Sequence, residues 1–243
     1  MSRNSVPLNR ALSKLGILSR AQATEAIRAG RVRVDEVVVR DPLKPVVPER
    51  GRIAVDGLTR HRAAWRTIAF HKPRGVVTTR RDPDGRRTVY DVLGEEGDGL
   101  VAVGRLDLAS TGLLLLTTDT QLANWLTDPT NAVPRVYLVA VRGRVTPETA
   151  AALPAAHVVV RKASTRETHL TVELTQGRNR EIRRMFEAIG HEVTRLKRVR
   201  IGGLELGDLA PGAWREISRD EVLSSFLERR SCASNPAGDP RIP

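Results

Sequence analysis

Cysteine is almost absent from this chain, and histidine clusters and long apolar runs are lacking. The 243 residues contain one cysteine, Cys232, which excludes a disulfide framework and a site built on several thiolates. The five histidines show no ligand spacing, so we expect no metal and no metal cofactor. No apolar run reaches the length of a membrane span and no signal layout opens the chain, which predicts a cytoplasmic protein without a membrane partner.

Aromatic residues are few, at 3%, and acidic residues are outnumbered. Lys and Arg together number 40 against 28 Asp and Glu, which gives a formal net charge of +12. Such an excess is typical of proteins that bind a polyanion, and nucleic acid is the first candidate; a merely solvated basic surface is the alternative. The length and the 40% hydrophobic content predict one medium and one small domain.

The N-terminal part of the chain predicts a helix pair followed by a hairpin. Residues 8–17 place leucines at helical spacing before Gly16, and Ser19 begins a capping-box pattern that opens a second helix. Residues 31–39 alternate polar and apolar side chains around Asp35-Glu36, as a hairpin does. The exposed basic side chains that we expect to contact phosphate in this unit are Arg20, Arg28, Arg31 and Arg33.

Three segments of this unit, residues 11–20, 27–34 and 53–57, resemble the small RNA-binding domain first described in a small-subunit ribosomal protein, the S-four type. Such domains commonly have Asn-Gly at the hairpin tip. Asp35-Glu36 lacks that glycine, so the turn type is open. The resemblance implies an RNA-binding domain over residues 6–57, and the polar residues 58–66 are expected to form a linker.

The remaining sequence predicts a larger domain over residues 67–230, with a disordered tail at 231–243. Strand patterns at residues 67–70, 136–141 and 168–174 predict a mixed, mainly antiparallel sheet flanked by helices. The expected fold class is therefore α+β, with a small N-terminal domain joined to this sheet domain.

The stretch from residue 104 to residue 119 connects one acid to the core. Asp107 lies between Gly104 and Gly112, and the four leucines of residues 113–116 require burial on both faces of a strand. Asp119 then has the position of a helix cap. Taken alone, Asp107 is more often a turn former than a catalytic group.

A second informative stretch, residues 176–190, predicts an amphipathic helix that begins at Asn179 and ends at Gly190. Its first turn would be basic, against the sign that the helix dipole favours, which indicates bound anions. The arginines concerned are Arg180, Arg183 and Arg184, and Arg178 just before them is a further candidate for RNA binding. Lys72, beside a Pro-Gly bend, fits a phosphate contact or a structural role equally well, and Tyr137 taken alone fits a core strand.

The chain has no phosphate-binding glycine loop and no Ser-His-Asp candidate. A lone carboxylate is able to attack a sugar carbon as a nucleophile or to remove a sugar proton as a base. Two other functions stay open: a non-catalytic RNA-binding factor for ribosome assembly, and RNA hydrolysis, which lacks a second catalytic acid.

Residues 104–107 and 111–119 resemble the central motif of the RsuA family of pseudouridine synthases, which act on ribosomal RNA without a cofactor. Residues 72–75, 177–185 and 195–202 extend the resemblance. It implies that Asp107 is the catalytic aspartate, that Tyr137 lies against the target base and that Arg183 pairs with Asp107. It also implies that Arg105 fills the gap left by an extruded nucleotide. Ribosomal RNA or an assembly intermediate is then the partner, and a monomer is expected.

Two positions depart from the family pattern. Thr120 stands where members often have glycine, and Asp128 replaces a common histidine before Pro129. Both departures concern loop contacts rather than the carboxylate. Residues 177–184 are more similar to members that act on the large ribosomal subunit.

Overall fold

A computed structural model describes residues 5–15, 17–18, 20–47, 52–59, 64–153 and 157–227. Helices and mainly antiparallel sheets are both present, which confirms the predicted α+β class. Gly16, Ser19 and the tail at 231–243 lie outside the described residues, so the predictions made for them stay predictions.

The first unit is a helix pair packed on small sheets. Helices α1 (Leu8–Lys14) and α2 (Arg20–Arg28) meet because their apolar residues repeat at helical spacing. The buried residues along this contact are Leu8, Ala11, Leu12, Ala23, Ala26 and Ile27. The strands are β1 (Val6–Pro7), β2 (Val32–Val34), β3 (Val37–Val38), β4 (Pro45–Val46), β5 (Ile53–Val55) and β6 (Leu58–Thr59). β3, β2, β5 and β6 form one sheet in that order, and β1 pairs with β4.

The hairpin between β2 and β3 has a two-residue turn although it lacks glycine. Asp35 and Glu36 have φ values of 49° and 66°, so both occupy the left-handed region that a primed turn requires. The Asp35 carboxylate accepts a hydrogen bond from the backbone N–H of Arg52 at 3.0 Å, which supports this conformation from the neighbouring strand. The turn type left open by the sequence is therefore of the primed kind.

The linker prediction is wrong at its first residues. Leu58 and Thr59 form β6, which pairs with β5 through Val55↔Leu58 and Ala54↔Thr59. These residues belong to the first sheet because Asp56 and Gly57, both at positive φ, reverse the chain immediately after β5.

Within the described residues, nine strands form the sheet of the second unit, in the order β11-β12-β10-β13-β9-β7-β15 with β14 on β13 and β8 on β9. These strands are β7 (Thr67–Lys72), β8 (Val101–Ala102), β9 (Thr111–Thr117), β10 (Arg135–Arg142), β11 (His157–Ala163), β12 (Glu167–Leu174), β13 (Val193–Ile201), β14 (Leu204–Glu205) and β15 (Trp214–Glu216). The helices are α3 (Val89–Leu93), α4 (Thr120–Thr127), α5 (Pro147–Ala151), α6 (Glu181–Glu187) and α7 (Arg219–Leu227). β13 pairs with β9 in parallel; the other strand pairs are antiparallel.

β9 lies between two cores, as its four leucines predict. Leu114 and Leu116 pack into the core beneath α3 and α6, whereas Leu113 and Leu115 pack into the core beneath α4 and α7. All four side chains are fully buried. Burial of each stabilises the fold by about 1.5–3 kcal/mol, so the strand that follows Asp107 is firmly anchored on both faces.

Asp119 caps α4 as predicted, accepting hydrogen bonds from the backbone N–H groups of Gln121 and Leu122 at 3.0 and 3.2 Å. The two positions that depart from the family pattern also have defined contacts. The Thr120 hydroxyl donates to the carbonyl of Lys14 at 3.3 Å, which joins α4 to the first unit. Asp128 accepts from the backbone N–H of Thr130 and thereby caps the short 3-10 turn that follows.

The prediction for α6 is wrong at its start. The helix begins at Glu181, and the residue that precedes it is Arg180 at φ 52°, without a side-chain cap, so Asn179 is not the cap. The helix ends at Glu187, before the predicted Gly190, and Arg184 falls in its last turn, where the helix dipole favours a cation. The dipole argument for anion binding therefore does not hold for Arg184.

Candidate active site

Asp107 lies in the loop between β8 and β9 and is half-buried. The loop is tied to the segment that follows β7. The Thr78 hydroxyl donates to the carbonyl of Leu106 at 2.9 Å and accepts from the backbone N–H of Leu106 at 3.3 Å. The backbone N–H of Gly75 donates to the carbonyl of Leu108 at 2.9 Å. Asp107 is thus fixed on both sides, which a carboxylate needs if its geometry is to be maintained during a reaction.

A row of four residues crosses the sheet beside this loop. Register pairs join Lys72 to Gly112, Gly112 to Arg198 and Arg198 to Tyr137, so strands β7, β9, β13 and β10 each contribute one residue. Residues paired across strands place their side chains on the same face of a sheet. The row therefore brings together groups that are far apart in the sequence.

Gly112 makes this row possible because β13 approaches it too closely for a side chain. A Cβ atom at position 112 would lie 2.1 Å from the carbonyl oxygen of Arg198, and φ at Gly112 is 107°. The Nε–H of Arg198 donates to the carbonyl of Leu113 at 2.7 Å across the same contact. Glycine is thus required at 112 by both space and backbone conformation.

The structure places Lys72 differently from the predicted phosphate contact. Its side chain is fully buried, and its ammonium donates to the carbonyls of Pro73 at 3.0 Å and Ser110 at 2.8 Å. Burial lowers the pKa of Lys72 to about 8, against a smaller opposing effect of the nearby Asp107. The ammonium thus holds the backbone around the Asp107 loop and is hidden from solvent, which favours the structural role, while a contact of Lys72 with RNA stays a prediction.

This pKa gives a prediction for stability. Since the unfolded chain keeps the proton of Lys72 up to a pKa near 10.5 and the folded chain loses it near 8, the unfolded state binds more protons between these values. The free energy of unfolding of the wild type should therefore rise from pH 8 to pH 10.5, relative to Lys72→Met, by about 3 kcal/mol. Urea denaturation of both proteins across this range measures the difference, with the exposed Lys162→Met as the control for removal of one ammonium. Parallel profiles for wild type and Lys72→Met would contradict it.

Arg183 lies on α6 and points toward the same site without closing an ion pair with Asp107. Its Nη1–H donates to the carbonyl of Val193 at 2.8 Å, and its Nε is buried without a partner among the described residues. Burial lowers the pKa of Arg183, the neighbouring Arg180 lowers it further and Asp107 raises it. The two groups therefore interact electrostatically, while the direct pairing implied by the family resemblance stays a prediction.

Tyr137 lies at the edge of the core beneath α3 and α6, with 9% of its surface exposed. On β10 it pairs with Val172 on one side and Arg198 on the other. A β-bulge at Val199 precedes the Tyr137–Arg198 pair, because Val136 pairs with Arg200 and Val199 is passed over. The bulge places Arg200 on the face opposite to Arg198, in a groove where it pairs with Glu173 at 3.0 Å.

The other arginines named from the sequence are exposed: Arg105, Arg178, Arg180 and Arg184 in the second unit, and Arg20, Arg28, Arg31 and Arg33 in the first. Arg105 precedes the Asp107 loop, and Arg31 pairs with Asp56 at 3.3 Å. Their roles in RNA binding stay predictions. Sequence reasoning missed Arg198 and Ser110, which are buried near Lys72 and whose Nη2 and Oγ atoms have no partner among the described residues.

Among the described residues, no group of three or more His, Cys, Asp or Glu side chains is arranged to hold a metal ion. No helix within the described ranges is both long and apolar enough to cross a membrane.

The chain is similar to known proteins over most of its length. Residues 66–188 match the family model described as RNA pseudouridylate synthase, and residues 6–50 match the S4 domain model. An uncharacterized RNA pseudouridine synthase of Aquifex aeolicus is 35% identical over 233 residues, which cover 91% of this chain and 94% of the relative. Ribosomal large subunit pseudouridine synthase B of Escherichia coli is 38% identical over 241 residues, which cover 92% and 82%. A crystal structure of a pseudouridylate synthase superposes with a TM-score of 0.62 at 26% identity, covering 91% of this chain and 100% of that chain.

Proposed function

Because this chain belongs to the RNA pseudouridylate synthase family, we propose that it converts a specific uridine of ribosomal RNA to pseudouridine, with Asp107 as the reacting carboxylate. The observation that carries the assignment of Asp107 is its position: a half-buried acid, fixed through Thr78 and Gly75, beside the row that contains Tyr137. The large ribosomal subunit is the proposed source of the RNA, since relatives at 38% identity are named for it.

The reaction requires one carbon–nitrogen bond to break and one carbon–carbon bond to form. The C1′–N1 bond of uridine breaks, the detached base turns, and C5 bonds to C1′; C5 loses a proton and N1 gains one, so the product is an isomer. No electron acceptor or cofactor is needed. Asp107 acts either by bonding to C1′ or by removing the proton from C2′ and returning it, and both routes place its carboxylate against the sugar.

The target nucleotide must leave its helical stack before its glycosidic bond is reached. Tyr137 would then supply a ring against which the extruded base stacks. Arg183 would orient the Asp107 carboxylate through charge, since the two groups already interact. Arg105, exposed immediately before the loop, would occupy the gap in the RNA.

We further propose a division of labour along the chain. The unit of residues 6–59, with its own buried core, would hold RNA, and the sheet domain that begins at residue 67 would carry the chemistry. The net charge of +12 of the whole chain favours RNA, a polyanion, as the partner. We also propose that the chain acts as a monomer in the cytoplasm.

Mapping of pseudouridine in ribosomal RNA tests the function directly. Reverse-transcription mapping of RNA from cells with and without the gene should show one or a few sites that disappear in the deletion and return on complementation. Purified protein should then modify the same sites on RNA from the deletion strain. Identical maps in both strains, together with no product in vitro, would refute the function.

The first unit gives a separate prediction about RNA affinity. Arg28 and Arg33 are exposed, and their replacement by Gln removes two candidate phosphate contacts. We expect the RNA concentration at half-saturation to rise about tenfold and the salt dependence of binding to fall by about two charges. The single-turnover rate at saturating RNA should be unchanged.

Arg142→Gln is the matched control, because Arg142 is exposed and paired with Glu192 on the sheet domain. It removes charge without touching the first unit, so its binding curve should stay close to that of the wild type. If the double variant instead lowers the rate at saturation while its half-saturation point is unchanged, the proposed division of labour is wrong.

A further inference from the structure

Arg198 is a buried cation with a free hydrogen-bond donor beside the proposed reaction site. Only 3% of its surface is exposed, and its Nε–H is used by the carbonyl of Leu113. Its Nη2 is buried without a partner among the described residues. A buried donor left unpaired costs about 1–3 kcal/mol, so its retention calls for a partner that arrives later.

The backbone makes room for this guanidinium. Arg198 pairs with Gly112 on one side and with Tyr137 on the other, and the absent side chain at 112 permits β13 to lie against β9. Arg198 shares a face with Tyr137 because the two are register partners, and the bulge at Val199 places the next arginine of the alternation, Arg200, on the opposite face. Arg198 is therefore the arginine of this end of β13 that lies beside Tyr137.

Positive charge exceeds negative charge around this position. Lys72 and Arg198 are buried, Arg183 is partly buried, and Asp107 is the carboxylate that interacts with Lys72 and Arg183. Buried charges are normally paired, and an excess of cations stabilises an additional anion. The ammonium of Lys72 is already held by two backbone carbonyls, whereas Arg183 on α6 and Arg198 on β13 each have a buried donor without a partner in the described part of the chain. Of these two, Arg198 is the register partner of Tyr137.

Such an anion arises in the proposed reaction. When the C1′–N1 bond breaks, its electron pair stays on the base, and the detached uracil carries a negative charge spread over its ring nitrogens and carbonyl oxygens. Tyr137 and Arg198 are both hidden in the RNA-free chain, so insertion of a nucleotide that uncovers the Tyr137 ring also uncovers its neighbour in the row. A base stacked on Tyr137 then lies within reach of Nη2.

We propose that Arg198 is a further catalytic residue, whose Nη2–H donates to a carbonyl oxygen of the extruded uracil and stabilises the charge on the base after C1′–N1 cleavage. The proposal rests on the proposed function. In this proposal Asp107 acts on the sugar and Arg198 stabilises the departing base. An electron pair of the base then forms the C1′–C5 bond, which neutralises the base, as Asp107 leaves C1′ or returns its proton to C2′. The proton that C5 afterwards loses is balanced by the one that N1 takes up.

The test compares two substrates that differ in how well the base carries negative charge. Single-turnover consumption of the target nucleoside is measured by chromatography after digestion, on an RNA with uridine or 5-fluorouridine at that site. The fluorine withdraws electrons and stabilises the detached base by itself. Arg198→Met should slow consumption of uridine by about 100-fold, as loss of a donor to a developing anion does, but that of 5-fluorouridine by about tenfold or less.

Arg198→Lys keeps the charge, but the shorter ammonium cannot donate both to the carbonyl of Leu113 and to the base. An intermediate loss of rate is therefore expected, again larger on uridine than on 5-fluorouridine. This variant also keeps the proposal testable if Arg198→Met does not fold. Arg200→Met is the control, since Arg200 is on the same strand but on the other face, and its rates should follow the wild type on both RNAs.

A purely structural role for Arg198 would lower both rates by the same factor. Equal losses on the two RNAs, in folded variants that bind RNA as the wild type does, would overturn the proposal and leave the proposed function intact. If the wild type itself makes no pseudouridine, it is the proposed function that fails.

Discussion

Replacement of Asp107 by Asn is expected to lower the single-turnover rate of pseudouridine formation by at least about 1,000-fold, with RNA binding nearly unchanged. The substitution keeps the size of the side chain but removes the charge, so neither attack on C1′ nor removal of a sugar proton is available. The hydrogen bonds that fix the loop, from Thr78 and Gly75, involve backbone atoms of Leu106 and Leu108 and are retained. The fold should therefore be maintained while the chemistry is lost.

Asp119→Asn is the matched control for this experiment. Asp119 caps α4 in the same segment of the chain, and asparagine is as good a helix cap as aspartate. The control loses the same charge and should keep full activity. A rate for Asp107→Asn equal to that of the control would show that Asp107 is not the reacting group.

The same variant separates the enzyme from a non-catalytic assembly factor. If the chain serves only to bind RNA during ribosome assembly, a deletion strain complemented with Asp107→Asn should show wild-type growth and ribosome profiles and an unchanged pseudouridine map. We expect the mapped site to be lost in that strain, whatever the growth phenotype is.

Gly112→Ala is expected to destabilise the protein by about 3–5 kcal/mol and to abolish activity in whatever fraction remains folded. A methyl group at this position would lie 2.1 Å from the carbonyl oxygen of Arg198, and φ of 107° is unfavourable for any residue with a side chain. Overpacking against backbone and the strained conformation add to each other. Because β13 would have to move away from β9, Arg198 would be displaced together with its bond to Leu113.

Gly99→Ala isolates the effect of backbone conformation. Gly99 has φ of 70°, but a Cβ there would meet no atom within 4 Å, so the expected loss is about 1 kcal/mol. Urea denaturation measures both variants, and the difference between them is attributed to the contact with β13. Equal losses would mean that the sheet yields to the extra methyl group without difficulty.

The sequence predicted the fold class and the supporting strand because both depend on patterns of apolar residues. The leucines of β9 and the alternation in β10 and β12 require burial whatever their partners are. The predicted start of α6 was wrong because Arg180 adopts a left-handed conformation, which the residue type arginine does not indicate. The primed turn at Asp35-Glu36 was not predictable for the same reason, because its conformation is supported by a hydrogen bond from the backbone N–H of Arg52.

The site was only partly predictable for a similar reason. Asp107 was identifiable from its flanking glycines and from a family motif, but the burial of Lys72 depends on carbonyls contributed by the Asp107 loop. Arg198 lies in a run of alternating basic and apolar residues in β13, and nothing in that alternation shows that it pairs with Tyr137 while a bulge at Val199 places Arg200 on the other face. A sequence shows which residues are charged, but strand register decides which face of the sheet each charged side chain occupies.

The parallel contact between β9 and β13 consists of two register pairs, and it joins two antiparallel halves of the sheet. Asp107 and Lys72 belong to one half, Tyr137 and Arg198 to the other. Each half has long antiparallel pairings and would stay ordered if this short contact opened, but the proposed reacting groups would then be separated. The proposed activity thus depends on a joint of two register pairs, so activity should report on the assembly of the two halves more sensitively than any measure of total secondary structure.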